Sequence, residues 1–255
     1  MMEILNIIIL ALIQGITEFL PISSSSHLVL FSELTSFPDQ GIGFDIALHT
    51  GSLIAVLVYF RDELKKILFL TYEGNQYLKL LIVASIPLPI IGLIFIDYIS
   101  LYMRDIQSIA IMTIIFALLL FFADKNRKDS KEVINCSLVV IIFIGLMQTL
   151  AIMPGVSRAG VVITAALLVG FSRSNSIKIA FLLSIPAIFM ATIYQSMQLL
   201  NTNDVLLFRE SLLGFLFSFI FSFLTIKLFI STINKISFAP YIIYRIILGS
   251  ALLIV

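Results

Sequence analysis

The first of two short polar segments in this apolar chain is residues 14–27, QGITEFLPISSSSH. It contains a carboxylate, a proline, four consecutive serines and one of the two histidines of the chain. Gln14 and Glu18 are four residues apart, which places both side chains on one face of a helix. A carboxylate within a membrane segment costs about 2.5–3.5 kcal/mol on insertion scales and normally marks function. Glu18 is therefore a candidate catalytic residue, and an interfacial glutamate near a helix end is the alternative.

The serines follow Pro21 and are expected to begin a second, short helix. Their hydroxyls and the free N–H groups in the first turn of that helix are then available to a ligand. For any one of these serines, the alternative is an ordinary N-cap without a functional role. The serines in question are Ser23, Ser24, Ser25 and Ser26.

His27 follows Ser24 by three residues, a spacing that favours direct contact between the two side chains. Two roles stay open at this point. Ser24 is a nucleophile with His27 as its base, or His27, oriented by Glu18, activates water while Ser24 holds a phosphate oxygen.

The second polar segment is residues 153–160, MPGVSRAG. Proline and glycine open a turn, and the N–H groups that follow it form a helix N-terminus, which is a ready anion site. Arg158 adds a planar guanidinium suited to phosphate oxygens. The alternative is a structural ion pair between Arg158 and Glu18, which would also bring the two segments together. The residues predicted to form the anion site with Arg158 are Gly155, Val156 and Ser157.

Three other polar residues, Asp45, His49 and Arg245, lie near the ends of predicted spans. We interpret them as structural.

The composition indicates that most of the protein surface faces lipid. The chain has 255 residues, of which 60% are hydrophobic and 12% charged, whereas soluble domains carry about 25% charged residues. The net charge of +1 argues against a nucleic-acid partner. The single cysteine excludes an internal disulfide and a cysteine-built metal site. The N-terminus lacks the basic region and cleavage site of a signal peptide, so we expect it to belong to the mature chain.

Both polar segments interrupt apolar helices, predicted over 4–19 and 133–153, whose second limbs run to about residues 34 and 170. Broken helices at membrane depth are tolerated only where protein or a water-filled cavity satisfies the freed backbone, so we predict two re-entrant hairpins. Six full spans complete the prediction, at 46–60, 80–96, 106–123, 179–200, 213–229 and 239–255.

The hairpins and spans recur at an offset of 133 residues, which pairs Ser24 with Ser157. We predict an all-α, single membrane domain over 1–255, built from two inverted-topology repeats at about 1–122 and 134–255. The loops 61–79 and 124–132 each carry four basic residues and are predicted to be cytoplasmic. Both termini then lie outside.

The predicted site combines an anion cradle, an arginine, a carboxylate, hydroxyls and an imidazole within the membrane. This inventory fits phosphoryl transfer from a lipid, in which charge neutralisation accompanies attack by a nucleophile or an activated water. The alternative is a lipid-phosphate transporter or flippase, because inverted repeats with half-helices also build secondary transporters.

At these two segments the sequence closely resembles the bacterial undecaprenyl-diphosphatase family of the bacitracin-resistance type. The family's first motif, [E/Q]-G-x-T-E-F-L-P-x-S-S-[ST]-[GS]-H, matches Gln14 to His27, and its second, P-G-x-S-R-S-G-x-T, matches Pro154 to Arg158 and Gly160. FLLSIP at 181–186 and YRIILG at 244–249 extend the resemblance over nearly the whole chain. Ala159 and Val162 depart from the second motif, where serine and threonine are usual.

The resemblance implies hydrolysis of undecaprenyl diphosphate to undecaprenyl phosphate and inorganic phosphate. It places a multi-pass protein in the bacterial cytoplasmic (inner) membrane with its site open to the outer, periplasmic side. It also implies a role in recycling the cell-wall lipid carrier and in bacitracin resistance. A divalent cation, Mg²⁺ or Ca²⁺, is expected, with Glu18 and Gln14 as its ligands. Partners are the lipid diphosphate, the bilayer and, in a homodimer, a second copy of the chain.

The site residues predicted by sequence and resemblance together fall into two groups. The catalytic group is Glu18, Ser24, His27 and Arg158. The substrate-binding group is Gln14, Ser23, Ser25, Ser26, Gly155, Val156 and Ser157.

Overall fold

The computed structural model describes residues 4–24, 27, 41–129, 133, 136–200 and 208–254. Eleven α-helices occupy these ranges, and a short 3-10 helix, Leu150–Ile152, follows the seventh. The helices are α1 (Ile4–Thr17), α2 (Ile42–Tyr59), α3 (Arg61–Leu68), α4 (Tyr72–Ser85), α5 (Pro87–Tyr102), α6 (Ile106–Lys125), α7 (Leu138–Thr149), α8 (Arg158–Leu168), α9 (Arg173–Leu199), α10 (Phe208–Ile236) and α11 (Ala239–Leu252).

Five helical segments in the described part of the chain are long and apolar enough to cross a bilayer. Many large apolar side chains on them are exposed, for example Leu93 and Ile94 on α5, as expected of a lipid-facing surface. The protein is therefore an all-helical, polytopic membrane protein. The predicted span at 239–255 corresponds to α11, which is only 14 residues long. The five segments are Ile42–Tyr59, Tyr72–Phe95, Ile106–Lys125, Arg173–Leu199 and Phe208–Ile236.

Several helices begin where a side chain caps them. Thr71, Asp105, Ser137 and Ser172 each accept a hydrogen bond from the backbone N–H three residues later. The cap at Ser137 explains why α7 begins at residue 138 and not at 133, as the apolar run suggested. Helices also extend beyond the apolar runs, so most of the predicted loop 61–79 is helical.

Helix α2 is held closely against α10 by small residues. The Ser52 hydroxyl lies 3.1 Å from Ser218 Oγ and 2.9 Å from Ser222 Oγ. A Cβ added at Gly51 would lie only 2.4 Å from the carbonyl oxygen of Phe215. Small residues and interhelical hydroxyl contacts are how helices approach closely in membranes. The contact fixes the position of α2, which forms one wall of the site.

Ion pairs join three polar segments at one end of the bundle. Arg173 donates to both carboxylate oxygens of Asp124, at 2.7 and 2.8 Å, and so joins α9 to the end of α6. Lys178 Nζ lies 2.8 Å from Glu63 Oε1 and joins α9 to α3. The two predicted cytoplasmic loops therefore meet the turn before α9 at the same end of the molecule.

Candidate active site

The first polar segment breaks the helix as predicted. After α1 ends at Thr17, hydrogen bonds from Glu18 N to Gln14 O and from Ile22 N to Leu20 O close two successive turns. Ser23 then has φ of 71°, a left-handed conformation that is uncommon for any residue with a side chain. Helical structure resumes at Ser24.

The second polar segment breaks in the same way. Gly155 has φ of 91°, and a Cβ there would lie 2.4 Å from Ile109 O, so both conformation and space require glycine. Ser157 follows with φ of 69° and caps α8 by accepting from Gly160 N at 3.2 Å. In the described chain, the backbone N–H groups of Ser157 and Arg158 donate to no backbone carbonyl. Val156 N–H, which the sequence also assigned to the anion site, instead donates to Met153 O at 3.3 Å. An anion site at Ser157 and Arg158 stays a prediction.

The two breaks have matching backbones. Ser23 has φ of 71° and Ser157 has φ of 69°, and the two serines are 134 residues apart. A buried glutamine lies nine residues before each of them: Gln14 before Ser23 and Gln148 before Ser157. The predicted pairing of Ser24 with Ser157 is therefore wrong by one position. Four adjacent serines look alike in the sequence, whereas the backbone φ distinguishes Ser23 from Ser24.

Arg245 fastens the two breaks to each other. Its side chain is fully buried on α11, and its guanidinium donates to Pro21 O at 3.3 Å, Gly155 O at 2.9 Å and Val156 O at 3.1 Å. Carbonyls freed by a helix break need such partners inside a membrane. This geometry agrees with the structural role interpreted for Arg245.

Glu18 is the centre of the site. Its Oε1 accepts from Arg158 Nη2 at 2.5 Å, and its Oε2 accepts from Gln14 Nε2 at 3.2 Å and from Ser24 Oγ at 3.3 Å. Arg158 Nη1 also donates to Ala180 O at 3.2 Å. The Arg158 and Glu18 side chains are only 14% and 10% exposed, so water screens their attraction weakly. The two predicted segments thus meet through an ion pair.

A cavity of about 270 Å³ opens beside this ion pair. One part of its wall is polar and combines both breaks with α2. The other part is apolar and comes from α5, the 3-10 helix and α9. The polar lining is Thr17, Glu18, Ser23, Ser24, His49, Ser157 and Arg158, and the apolar lining is Leu88, Ala151, Ile152, Ala187, Ile188 and Ala191.

No hydrogen bond joins His27 to Ser24, so the serine–histidine pair expected from their spacing does not form in this structure. Its Nδ1 lies 2.7 Å from Ser23 O and its Nε2 2.5 Å from the hydroxyl of Tyr244, against which the ring also stacks. A backbone carbonyl of the break and a hydroxyl on α11 occupy the two ring nitrogens instead, and the second of these partners cannot be inferred from local spacing. His27 is not part of the cavity wall.

The remaining predicted site residues are not part of the described cavity lining. Gln14 and Val156 are fully buried behind the cavity wall, and Gly155 supplies the backbone turn. Ser25 and Ser26 lie outside the described residues. Ala159 and Val162, which depart from the family motif, are buried in α8 and do not line the cavity.

Sequence reasoning missed the position of two residues. His49, interpreted as structural, lines the cavity from α2, and Tyr244 holds His27 from α11. Their positions depend on how α2 and α11 pack against the two breaks, which no local sequence pattern indicates.

The family model described as bacitracin resistance protein BacA matches residues 7–251, which include both breaks. The chain belongs to this family. Arg245, like Glu18 and Arg158, falls within the matched range.

Curated relatives resemble the chain along nearly its whole length. A protein of Saccharophagus degradans named undecaprenyl-diphosphatase is 43% identical, covering 98% of this chain and 97% of the relative. A Campylobacter concisus protein of the same name is 42% identical, covering 99% and 98%. Undecaprenyl-diphosphatase 1 of Pseudoalteromonas translucida is 40% identical, again covering 99% and 98%.

Proposed function

We propose that this protein hydrolyses undecaprenyl diphosphate to undecaprenyl phosphate and inorganic phosphate. The observation that carries the proposal is the Glu18–Arg158 pair with the Ser24 hydroxyl on one wall of a cavity in a polytopic membrane protein. The substrate is taken from the names of the relatives. The reaction recycles the lipid carrier of cell-wall synthesis, which accounts for the bacitracin resistance in the family description.

The two parts of the cavity wall suit the two parts of this substrate. Arg158 and the free N–H groups at the start of α8 bind phosphate oxygens. The prenyl chain leaves along the apolar wall, where Ala187 and Ala191 are one helical turn apart and leave room beside α9. A phosphate is thereby held at the ion pair while the lipid tail stays in an apolar environment.

In this proposal Ser24 attacks and Glu18 takes its proton, and the hydrogen bond from the Ser24 hydroxyl to Glu18 Oε2 supports these roles. The oxygen of Ser24 bonds to the terminal phosphorus, the bridging P–O bond breaks and undecaprenyl phosphate leaves. Water then releases the phosphate from serine. Arg158 neutralises the charge that develops on the phosphoryl oxygens. The competing route, in which His27 activates water directly, needs His27 to leave its present partners.

A divalent cation, Mg²⁺ or Ca²⁺, is part of this proposal. Mg²⁺ is commonly held by one or two carboxylates together with substrate phosphates. Glu18 supplies a carboxylate, and Gln14 Oε1 is a buried oxygen without a hydrogen-bond partner among the described residues. These hard oxygen donors fit such a cation, which would add positive charge against the diphosphate. No cluster of three or more His, Cys, Asp or Glu exists among the described residues, so substrate phosphates and water would complete the ligand set.

The direct test is phosphate release by the purified protein in detergent. Phosphate should appear from a prenyl diphosphate far faster than from inorganic pyrophosphate. The apolar wall of the cavity binds the prenyl chain, which inorganic pyrophosphate lacks. A chelator should abolish the release, and added Mg²⁺ or Ca²⁺ should restore it. A pure protein that releases no phosphate but moves the lipid between leaflets of a vesicle would instead be the transporter considered above.

The finer membrane architecture is also proposed: six spans and two re-entrant hairpins in two inverted repeats, with the site open to the periplasmic side of the inner membrane. The matching breaks at Ser23 and Ser157 support the repeat. The ion pairs of Arg173 and Lys178, which gather the basic segments at one end, support a cytoplasmic location of that end. A homodimer stays a prediction.

Cysteine labelling tests this topology. In a Cys136→Ser background, a cysteine at Lys128 should resist a membrane-impermeant thiol reagent in whole cells, and one at Arg104 should react. Both positions are exposed in the structure, so permeabilised cells should label both and provide the control. The reverse pattern in whole cells would refute the proposed orientation.

A further inference from the structure

The junction of α3 and α4, residues 68–72, is an exposed turn of large hydrophobic side chains, which we call the apolar turn. Four of its five residues are large, hydrophobic and 66–79% exposed: Leu68, Phe69, Leu70 and Tyr72. Single exposed hydrophobic residues are ordinary on a protein surface, whereas a contiguous group marks an interaction site.

Hydrogen bonds hold the backbone of the apolar turn. Leu70 N donates to Ile67 O at 3.0 Å and Thr71 N donates to Lys66 O at 3.1 Å, which is the pair of bonds that ends many helices. Asn75 Nδ2 also donates to Leu70 O at 3.3 Å. The exposed side chains are therefore presented by a defined turn and not by a loosely held loop.

The conformation of Leu70 is unusual for its side chain. Its φ is 49°, and the position that it occupies after the helix end is normally taken by glycine or asparagine. A left-handed backbone is strained for a bulky residue. Burial within the chain offsets little of this strain, because the Leu70 side chain is mostly exposed. A contact outside the chain is then expected to bury it.

The place of the apolar turn in the fold identifies the bilayer as its partner. The turn ends at Tyr72, where the membrane-spanning segment Tyr72–Phe95 begins. Its side chains therefore continue the lipid-facing surface of that segment to the level of the headgroups. Phenylalanine, leucine and tyrosine at this level are typical of interfacial anchors. A stable protein partner would need about 20–30 residues on this side, and the turn offers four large side chains.

The charges beside the turn show which force has to supply the binding. Attraction to anionic lipid contributes little, because the basic and acidic side chains of residues 61–73 balance. Burial of apolar surface is then the main contribution. The three basic residues are Arg61, Lys65 and Lys66, and the three acidic residues are Asp62, Glu63 and Glu73.

We propose that the apolar turn is an interfacial membrane anchor, which inserts its four hydrophobic side chains at the boundary between lipid headgroups and acyl chains. Insertion to a depth of about 5–10 Å is usual for such segments. In the proposed topology this boundary belongs to the cytoplasmic leaflet. The inference goes beyond the proposed reaction, and its test uses no measurement of activity.

A single introduced tryptophan tests the anchor, because the chain contains none. The Phe69→Trp protein is placed in lipid nanodiscs, where iodide reaches both membrane faces. Lipid with a nitroxide near the headgroup end of its acyl chain should quench the emission more than lipid labelled near the chain end. Iodide should quench it several-fold less than a probe in water. Neither result should change when anionic lipid replaces zwitterionic lipid, because the binding is apolar.

Two matched probes calibrate this reporter. Ile82→Trp lies on the exposed face of α4, about 15 Å further along the helix, so lipid labelled near the chain end should quench it best. Lys128→Trp lies in the exposed segment after α6, where iodide should quench it strongly and labelled lipid should not.

Leu70→Asn tests the turn as a unit. Asparagine adopts the left-handed conformation more readily than leucine, so this substitution keeps the backbone and removes one hydrophobic side chain. Added to Phe69→Trp, it should move the emission to longer wavelength and increase iodide quenching. Tyr72→Trp replaces the first reporter if thermal unfolding shows that Phe69→Trp has lost its fold.

Two results would overturn the proposal. Iodide quenching of the reporter as strong as that of Lys128→Trp would place the turn in water. Protection from both iodide and labelled lipid would show that protein, such as a second copy of the chain, covers the turn instead of the bilayer.

Discussion

Replacing Arg158 with lysine is expected to lower kcat/KM for a prenyl diphosphate by about 100- to 1000-fold, the range seen when one donor to a developing oxyanion is removed. The guanidinium already donates to Glu18 and to Ala180 O and still has N–H groups for phosphate. A lysine ammonium is one point charge without the planar fork, so it cannot hold Glu18, Ala180 O and a phosphate together. Steady-state phosphate release measures the loss.

Arg173→Lys is the matched control for this substitution. Arg173 also forms a paired contact with a carboxylate, Asp124, but at the far end of α9 from the cavity. The Arg173→Lys variant should be slightly less stable than the unsubstituted protein and should keep its activity. Near-normal turnover in the Arg158→Lys variant would show that a positive charge at this position is enough and that the guanidinium geometry is not required. If the Lys and Ala variants at Arg158 both fail to fold, the residue is a structural ion pair with Glu18.

The membrane class and most spans of the fold could be predicted from hydropathy, because apolar runs of membrane length have few other uses. Five of the six predicted spans coincide with helices of spanning length. Helix ends were harder to predict from the sequence, because they depend on caps such as Ser137 and on ion pairs such as that of Lys178 with Glu63. Those features belong to single residues and not to a pattern.

The site was predictable where local chemistry decided it and not where packing did. The contact between Glu18 and Arg158 follows from two polar breaks that must satisfy each other inside a membrane. The partner of His27 lies 217 residues away on α11, and no local spacing indicates it. The position of His49 likewise depends on how α2 packs against α10.

The role of Ser24 is decided by its removal. We expect Ser24→Ala to lose at least about 1000-fold in kcat, as when a catalytic nucleophile is deleted. The structure supports this expectation because the hydroxyl faces the cavity and donates to Glu18 Oε2. Glu18→Gln should be comparably inactive, since the amide cannot accept the proton. Phosphate release from a prenyl diphosphate is again the measurement.

The covalent route also predicts an intermediate. Rapid quenching with a prenyl diphosphate should give a phosphoserine at Ser24, detectable by mass spectrometry of the peptide that contains it. Ser24→Ala should lack that signal.

Ser23→Ala is the comparator that makes the result specific. Ser23 lines the same cavity, but the hydroxyl that donates to Glu18 belongs to Ser24, so its alanine variant should lose far less activity. His27→Ala should also retain more activity than Ser24→Ala, because His27 contacts Ser23 O and Tyr244 and not the nucleophile. A Ser24→Ala enzyme with a substantial fraction of normal turnover, beside inactive His27→Ala and Glu18→Gln enzymes, would exclude the phosphoserine. Water activated by His27 would then be the nucleophile, and Ser24 would only hold a phosphate oxygen.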